Sequence, residues 1–153
     1  MINQIINMGW TIFGFSPVCY FWFLQGVDWS FYVLLVLSLG ACLLPESILR
    51  YLDISKDLRV YRRLGIKSVR RFVQDGNFQS GKKTGIRDYL KNIRMFERYH
   101  FCCLIFFQVS SVIACYHEQY LLSFSIFICN IIYNVYPILL QQYNRMRIMK
   151  LIK

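Results

Sequence analysis

All eighteen Lys and Arg residues of this chain fall in two blocks. Fourteen lie between Arg50 and Arg98, and Arg145, Arg147, Lys150 and Lys153 stand at its end. Residues 1–49 and 99–144 contain neither, and Asp28, Glu46 and Glu118 are their only charged side chains. A soluble domain spreads charge along the polar faces of its helices and strands. Segregation this complete is a membrane pattern. Composition agrees, with 56% of residues hydrophobic and 17% charged, against about 45–50% and about 25% in ordinary globular domains. The same apolar content excludes a disordered chain.

Each uncharged stretch is about twice the ~20 apolar residues of one membrane span, and each has a polar break in its middle. Gln25-Gly26-Val27-Asp28 interrupts the first and His117-Glu118-Gln119 the second. The pattern predicts an all-α polytopic membrane protein with four transmembrane helices arranged as two hairpins. The spans are expected at about 8–24, 30–48, 100–116 and 120–140, with a basic segment at 49–98 and a tail at 141–153, all in one membrane domain, 1–153. The short hairpin loops carry no Lys or Arg, so the positive-inside rule places the basic segment and both termini in the cytoplasm. Met1–Asn7 has no basic residue and no small-x-small cleavage site follows, so the first span is expected to be retained. Trp10, Trp22 and Trp29 are expected near the interfaces. The six cysteines lie in the apolar spans without metal-site spacing to a histidine, and read as packing residues.

Within the basic segment, Ser55 as N-cap and Gly65 as stop predict a helix near 56–64, and a second is expected at 66–74, closed by Asp75-Gly76. Leu58, Tyr61 and Leu64, then Val69, Phe72 and Val73, recur at helical spacing, with Lys and Arg on the other face. That suits helices lying in the headgroup layer, apolar side down. Basic faces also bind nucleic acid, but a chain held in a bilayer meets anionic lipid first. Membrane lipids are therefore the expected partner, and nucleic acid is not. Residues 76–83 read GNFQSGKK, a near miss for a phosphate loop. Lys83 stands where Ser or Thr would hold magnesium, and no strand precedes it.

The candidate chemistry collects at the cytoplasmic ends of the third and fourth spans. Glu97 and His100 are three apart and share a helix face; a carboxylate orienting an imidazole makes a general base. The same two residues also read as an interfacial Glu paired with a neighbouring Arg, plus a His at headgroup level. Asn130 and Asn134, four apart, lie in an otherwise apolar helix, where amides serve interhelical hydrogen bonding. Pro137 frees the Tyr133 carbonyl and is expected to kink that helix. Gln141-Gln142-Tyr143-Asn144-Arg145-Met146-Arg147 then forms a basic, amide-rich exit suited to phosphate. His117 and Glu118 belong to the opposite loop. HxxxxD, HExxH and Ser-His-Asp arrangements are absent from the sequence.

The run from Asn134 to Arg147 resembles the C-terminal motif of the bacterial glycosyl-4,4'-diaponeurosporenoate acyltransferase family. Asn134, Gln141, Tyr143, Asn144, Arg145 and Arg147 match in register. Glu97-Arg-Tyr-His100 is similar to the family's Glu-x-x-His, and Tyr61–Arg70 to its cytoplasmic segment. Gln142 stands where the family has Arg, and Val69 where Trp is usual. The resemblance implies a multi-pass enzyme of the bacterial inner membrane that moves a fatty acyl group onto a hydroxyl of a carotenoid glycoside or other glycolipid. It implies His100 as base and Glu97 as its orienting carboxylate. Asn134 and Asn144 would hydrogen-bond the oxyanion or sugar, Gln141 and Tyr143 would line the substrate pocket, and Arg145 and Arg147 would hold the carrier's phosphates. No cofactor is expected beyond an acyl thioester donor such as acyl-CoA. The alternative is a non-enzymatic four-helix membrane partner or assembly factor. Ion-coupled transport is disfavoured, because no span has several ionisable groups or paired breaks.

Overall fold

The computed structural model describes residues 2–66 and 85–151, with side chains for 8–66 and 85–150. Every regular element among them is helical. The chain runs through α1 (Ile2–Gln25), α2 (Trp29–Gly40, prolonged by a 3-10 turn Ala41–Leu43), α3 (Glu46–Tyr51) and α4 (Leu58–Arg63). It continues as α5 (Ile86–Tyr116), α6 (Tyr120–Asn130), a π-helical turn (Ile131–Val135) and α7 (Tyr136–Leu151). Ile86–Tyr116 and Tyr120–Lys150 are each long and apolar enough to cross a membrane. The helix expected over 66–74 lies outside the described residues.

The breaks fall at the polar interruptions. At the first, Gly26 takes φ +77° and Asp28 caps α2, accepting from Phe31 N–H and, at 2.6 Å, from the Ser30 hydroxyl. The Ser30 hydroxyl and the Phe31 amide hold the Asp28 carboxyl below its ordinary range. At the second, Glu118 takes φ 60° between α5 and α6. The apolar helix expected over 30–48 is divided. Leu44 precedes Pro45 and is extended at ψ 132°, so the first piece closes at Leu43 and α3 begins at Glu46. Glu46 ties α3 to α5, pairing with Arg50 at 2.8 Å and with Arg94 at 3.1 Å.

Val18, Phe21, Trp22, Leu34, Phe107, Ala114, Ile126 and Cys129 form the core between α1, α2, α5 and α6. Trp22, expected at an interface, is buried instead, and its indole N–H donates to Ser110 Oγ at 3.0 Å. The ring packs among Phe21, Phe31 and Phe106, which outweighs its interfacial preference. Small residues let α5 and α6 approach: Ser111 donates to the Ser123 carbonyl at 2.9 Å, and Ser123 to the Ser111 carbonyl at 2.7 Å. Ile12, Phe23, Val36, Leu37, Leu43, Leu121 and Phe124 point outward, a largely apolar exterior.

The basic segment packs differently from a helix resting on headgroups. Tyr61 is fully buried against Leu139, Leu140 and Tyr143 of α7, so the apolar side of α4 faces protein. Its N-cap is Asp57 rather than Ser55. The Asp57 carboxylate accepts from Arg59 N–H at 2.9 Å, while Ser55 Oγ accepts from Asp57 N–H at 3.0 Å. A carboxylate is the stronger partner for a helix N-terminus. Gly65 ends the element at φ +74°, as its position predicts.

Candidate active site

A cavity of about 540 Å³ opens between α1, the end of α4, α5 and the α6–α7 helix. Its wall carries the aromatic rings of Trp10, Phe13, Phe96, Tyr99, Tyr133 and Tyr136, with Thr11, His100 and Gln141 as further polar groups. Among the described residues none that lines it is charged. Two prolines shape the helices beside it. Pro137 has no N–H for the Tyr133 carbonyl, and just before it the helix widens, with Tyr136 N–H donating to the Ile131 carbonyl. The Tyr133 ring meets Phe15 at 5.3 Å and His100 at 5.8 Å, and its hydroxyl lies 3.1 Å from Thr11 Oγ1. In α1, Pro17 deprives the Phe13 carbonyl in the same way, and the Ser16 hydroxyl donates to it at 3.1 Å. Gly14 admits the Tyr133 ring, since a Cβ there would come within 2.7 Å of it.

A hydrogen-bonded chain reaches His100 from behind. The Asn130 amide N–H donates to the Leu104 carbonyl at 3.2 Å. That carbonyl can only accept, so Asn130 turns its Oδ1 the other way, where the Asn134 N–H donates to it at 2.8 Å. Asn134 Oδ1 therefore faces His100 Nδ1, at 3.4 Å. An amide oxygen only accepts, so Nδ1 carries the proton in this contact and Nε2 is the ring's acceptor in the neutral imidazole. Asn134 is fully buried and Asn130 nearly so.

The acidic and basic groups collect beside the cavity rather than on its wall. Arg145 pairs with Glu97 at 2.7 Å and with Asp53 on the loop before α4. Glu97 is fully buried, and burial pushes its carboxyl up to about 7 while the Arg145 guanidinium draws it back. It lies two residues before the uncharged run of α5, which begins at Tyr99. Gln142 clamps the same loop: its N–H donates to the Leu52 carbonyl at 3.3 Å, and its Oε1 accepts from the Tyr61 hydroxyl at 3.0 Å.

The sequence-predicted residues thus separate. His100 and Gln141 line the cavity, and Asn134 stands behind His100. Glu97 and Arg145 form the ion pair, Tyr143 packs with its ring 6.4 Å from Tyr61, Asn144 is buried and Arg147 is half-buried. Glu97, expected to orient His100, has Arg145 as its partner, because the guanidinium compensates a buried carboxylate where an imidazole edge does not. The Asn134 N–H, expected to serve an oxyanion, goes to Asn130. Arg145, expected to bind phosphate, holds two carboxylates.

The family model for glycosyl-4,4'-diaponeurosporenoate acyltransferase matches residues 45–153. The chain belongs to this family. No curated protein and no solved structure matches it. The match to the acyltransferase family spans α3 to α7 and so includes His100, Asn134 and Gln141, whereas Trp10, Thr11, Phe13 and Gly14 build the cavity wall from outside it. Sequence reasoning missed Tyr99, Tyr133 and Asp53. Tyr133 carried a signal, standing four residues before Pro137; Asp53 carried none, because its partner Arg145 is distant in sequence.

Proposed function

We propose that this protein transfers a fatty acyl group onto a hydroxyl of a glycosylated lipid, with His100 as general base. The observation that carries this reading is the placement of His100 on the wall of an aromatic cavity whose described lining is uncharged, its Nδ1 engaged by Asn134. Family membership supports acyl transfer to a glycosylated carotenoid. In this reading the four apolar segments span a bacterial inner membrane as two hairpins, with both termini and the basic segment cytoplasmic.

The acceptor hydroxyl enters the cavity and gives its proton to His100 Nε2 as its oxygen bonds to the carbonyl carbon of an acyl thioester such as acyl-CoA. The hydroxyls of Tyr99 and Tyr133 donate to the resulting oxyanion; a single such donor is worth about 10²–10³ in rate. Collapse expels the thiolate, which takes the proton back from the imidazolium, leaving an ester and a free thiol. Arg147 is the basic group at this exit for the carrier's phosphates. Arg145 ties Glu97 of α5 to Asp53 on the loop before α4, beside the cavity, and Asn144 is buried.

Lipid mass spectrometry of cells expressing the wild type, His100→Ala or no copy of the gene tests the reading. An acylated glycolipid made only by the wild type is expected. A stably inserted His100→Ala protein that makes the same product at full rate would falsify the assignment of the base.

A further inference from the structure

Gln141 lines the cavity, is 2% exposed, and its Oε1 has no hydrogen-bond partner among the described residues. The other described side chains with such a buried atom, among them Ser38 and Asn144, do not line the cavity. Gln141 shares its wall with Pro137, one turn back on α7, and with Leu140, the residue before it. A buried acceptor without a donor is costly, so the cavity favours a ligand that brings an O–H or N–H to this point.

The rest of the wall narrows the choice. Among the described residues none that lines the cavity is charged, so they offer a phosphate no cation and a cationic headgroup no carboxylate. The amide N–H groups of a carrier's pantetheine arm come without a C–H face to cover the aromatic wall, and an acyl chain, a thioester carbonyl or a polyene tail has no proton to offer Oε1. A sugar has several, and its C–H faces suit the electron-rich faces of rings such as Trp10, Tyr99 and Tyr133. The second acceptor on the same wall is His100 Nε2, by the tautomer that Asn134 sets.

Building on the proposed role of His100, we infer that the cavity seats the neutral sugar of the glycolipid acceptor, with only the thioester carbonyl of the acyl donor reaching in beside it, and that Gln141 Oε1 accepts a second sugar hydroxyl beside the one that His100 deprotonates. Gln141 then selects which hydroxyl is esterified.

The test is binding of octyl β-glucoside, its monodeoxy analogues and 1-octanol, at sub-micellar concentration, to the full chain in phospholipid nanodiscs, read by tryptophan fluorescence. The wild type is expected to prefer the glucoside to octanol. Gln141→Met should weaken the glucoside about 5–10-fold and leave octanol unchanged. One monodeoxy glucoside should lose the same factor on the wild type and nothing further on the variant. Equal binding of glucoside and octanol by the wild type overturns the inference, as does a variant that weakens both alike. Should Gln141→Met fail to fold, the deoxy series on the wild type decides alone, and a flat series overturns the inference. Binding is independent of chemistry, so a wild type that binds the sugar but transfers no acyl group ends the proposed activity and leaves the sugar site standing. Where transfer is seen, Gln141→Met should raise the acceptor's KM and mix the regioisomers; an unchanged KM and product overturn the inference.

Discussion

Asn134 Oδ1 lies 3.4 Å from His100 Nδ1, while the same amide donates its N–H to Asn130 at 2.8 Å. The imidazole is thus held by an amide whose direction is fixed two links away, at the Leu104 carbonyl. Asn134→Leu removes that hold without touching the cavity wall. The expected outcome is a loss of about 10–100-fold in kcat, by analogy with the outer partners of metal-bound histidines, with KM for the acceptor unchanged. Steady-state kinetics in nanodiscs checks it. A rise in KM at constant kcat would show Asn134 to be a binding residue instead.

The two turns between apolar segments were legible in the sequence because each falls at a run of polar residues. Gln25-Gly26-Val27-Asp28 and His117-Glu118-Gln119 mark them, whereas the apolar pattern runs through Pro45, where the chain divides. The partners of the polar residues were not legible. Glu97 and His100 share a face of α5, and spacing alone cannot say that an Arg on another helix outcompetes the imidazole for the carboxylate. The role of Gln142 was equally hidden, because Leu52 and Tyr61 reach it only once α4 has folded onto α7.

Arg145 compensates Glu97 and Asp53 together, and its side chain is almost wholly buried. Arg145→Met strands a buried carboxylate, which typically costs about 3–5 kcal/mol. A clearly lower thermal unfolding midpoint in detergent is expected. The double variant Glu97→Leu/Arg145→Met should recover part of the loss, since an apolar pair of similar volume leaves no charge stranded. A double variant no more stable than Arg145→Met would show that the ion pair is not the cause.

Burial raises the Glu97 carboxyl to about 7, against about 4.3 in an unfolded chain. Between those values the folded state binds more protons, so the contribution of Glu97 to stability is full below the lower value and is lost as pH rises through the higher one. The wild type should therefore lose stability relative to Glu97→Gln as pH rises from about 4.3 to 7. Unfolding midpoints of the two proteins across that range check the sign. A parallel pair of curves would mean that Arg145 fully offsets the burial of Glu97.

Gly14 is where α1 yields to the Tyr133 ring, since a Cβ there would stand 2.7 Å from Cδ2 and 2.9 Å from Cγ. Neither contact is the tip of a flexible chain. The ring sits against Phe15 and His100, so its displacement disturbs the wall that carries His100. Gly14→Ala should cost about 1–3 kcal/mol by overpacking, and should lower acyl transfer more than it lowers the amount of folded protein. Transfer per folded molecule, with folded protein measured by fluorescence-detected size exclusion, separates the two effects. Tyr133→Leu relieves the clash, so Gly14→Ala/Tyr133→Leu should regain the stability of Tyr133→Leu alone. If the alanine costs the same in both backgrounds, the contact between Gly14 and Tyr133 does not shape the cavity.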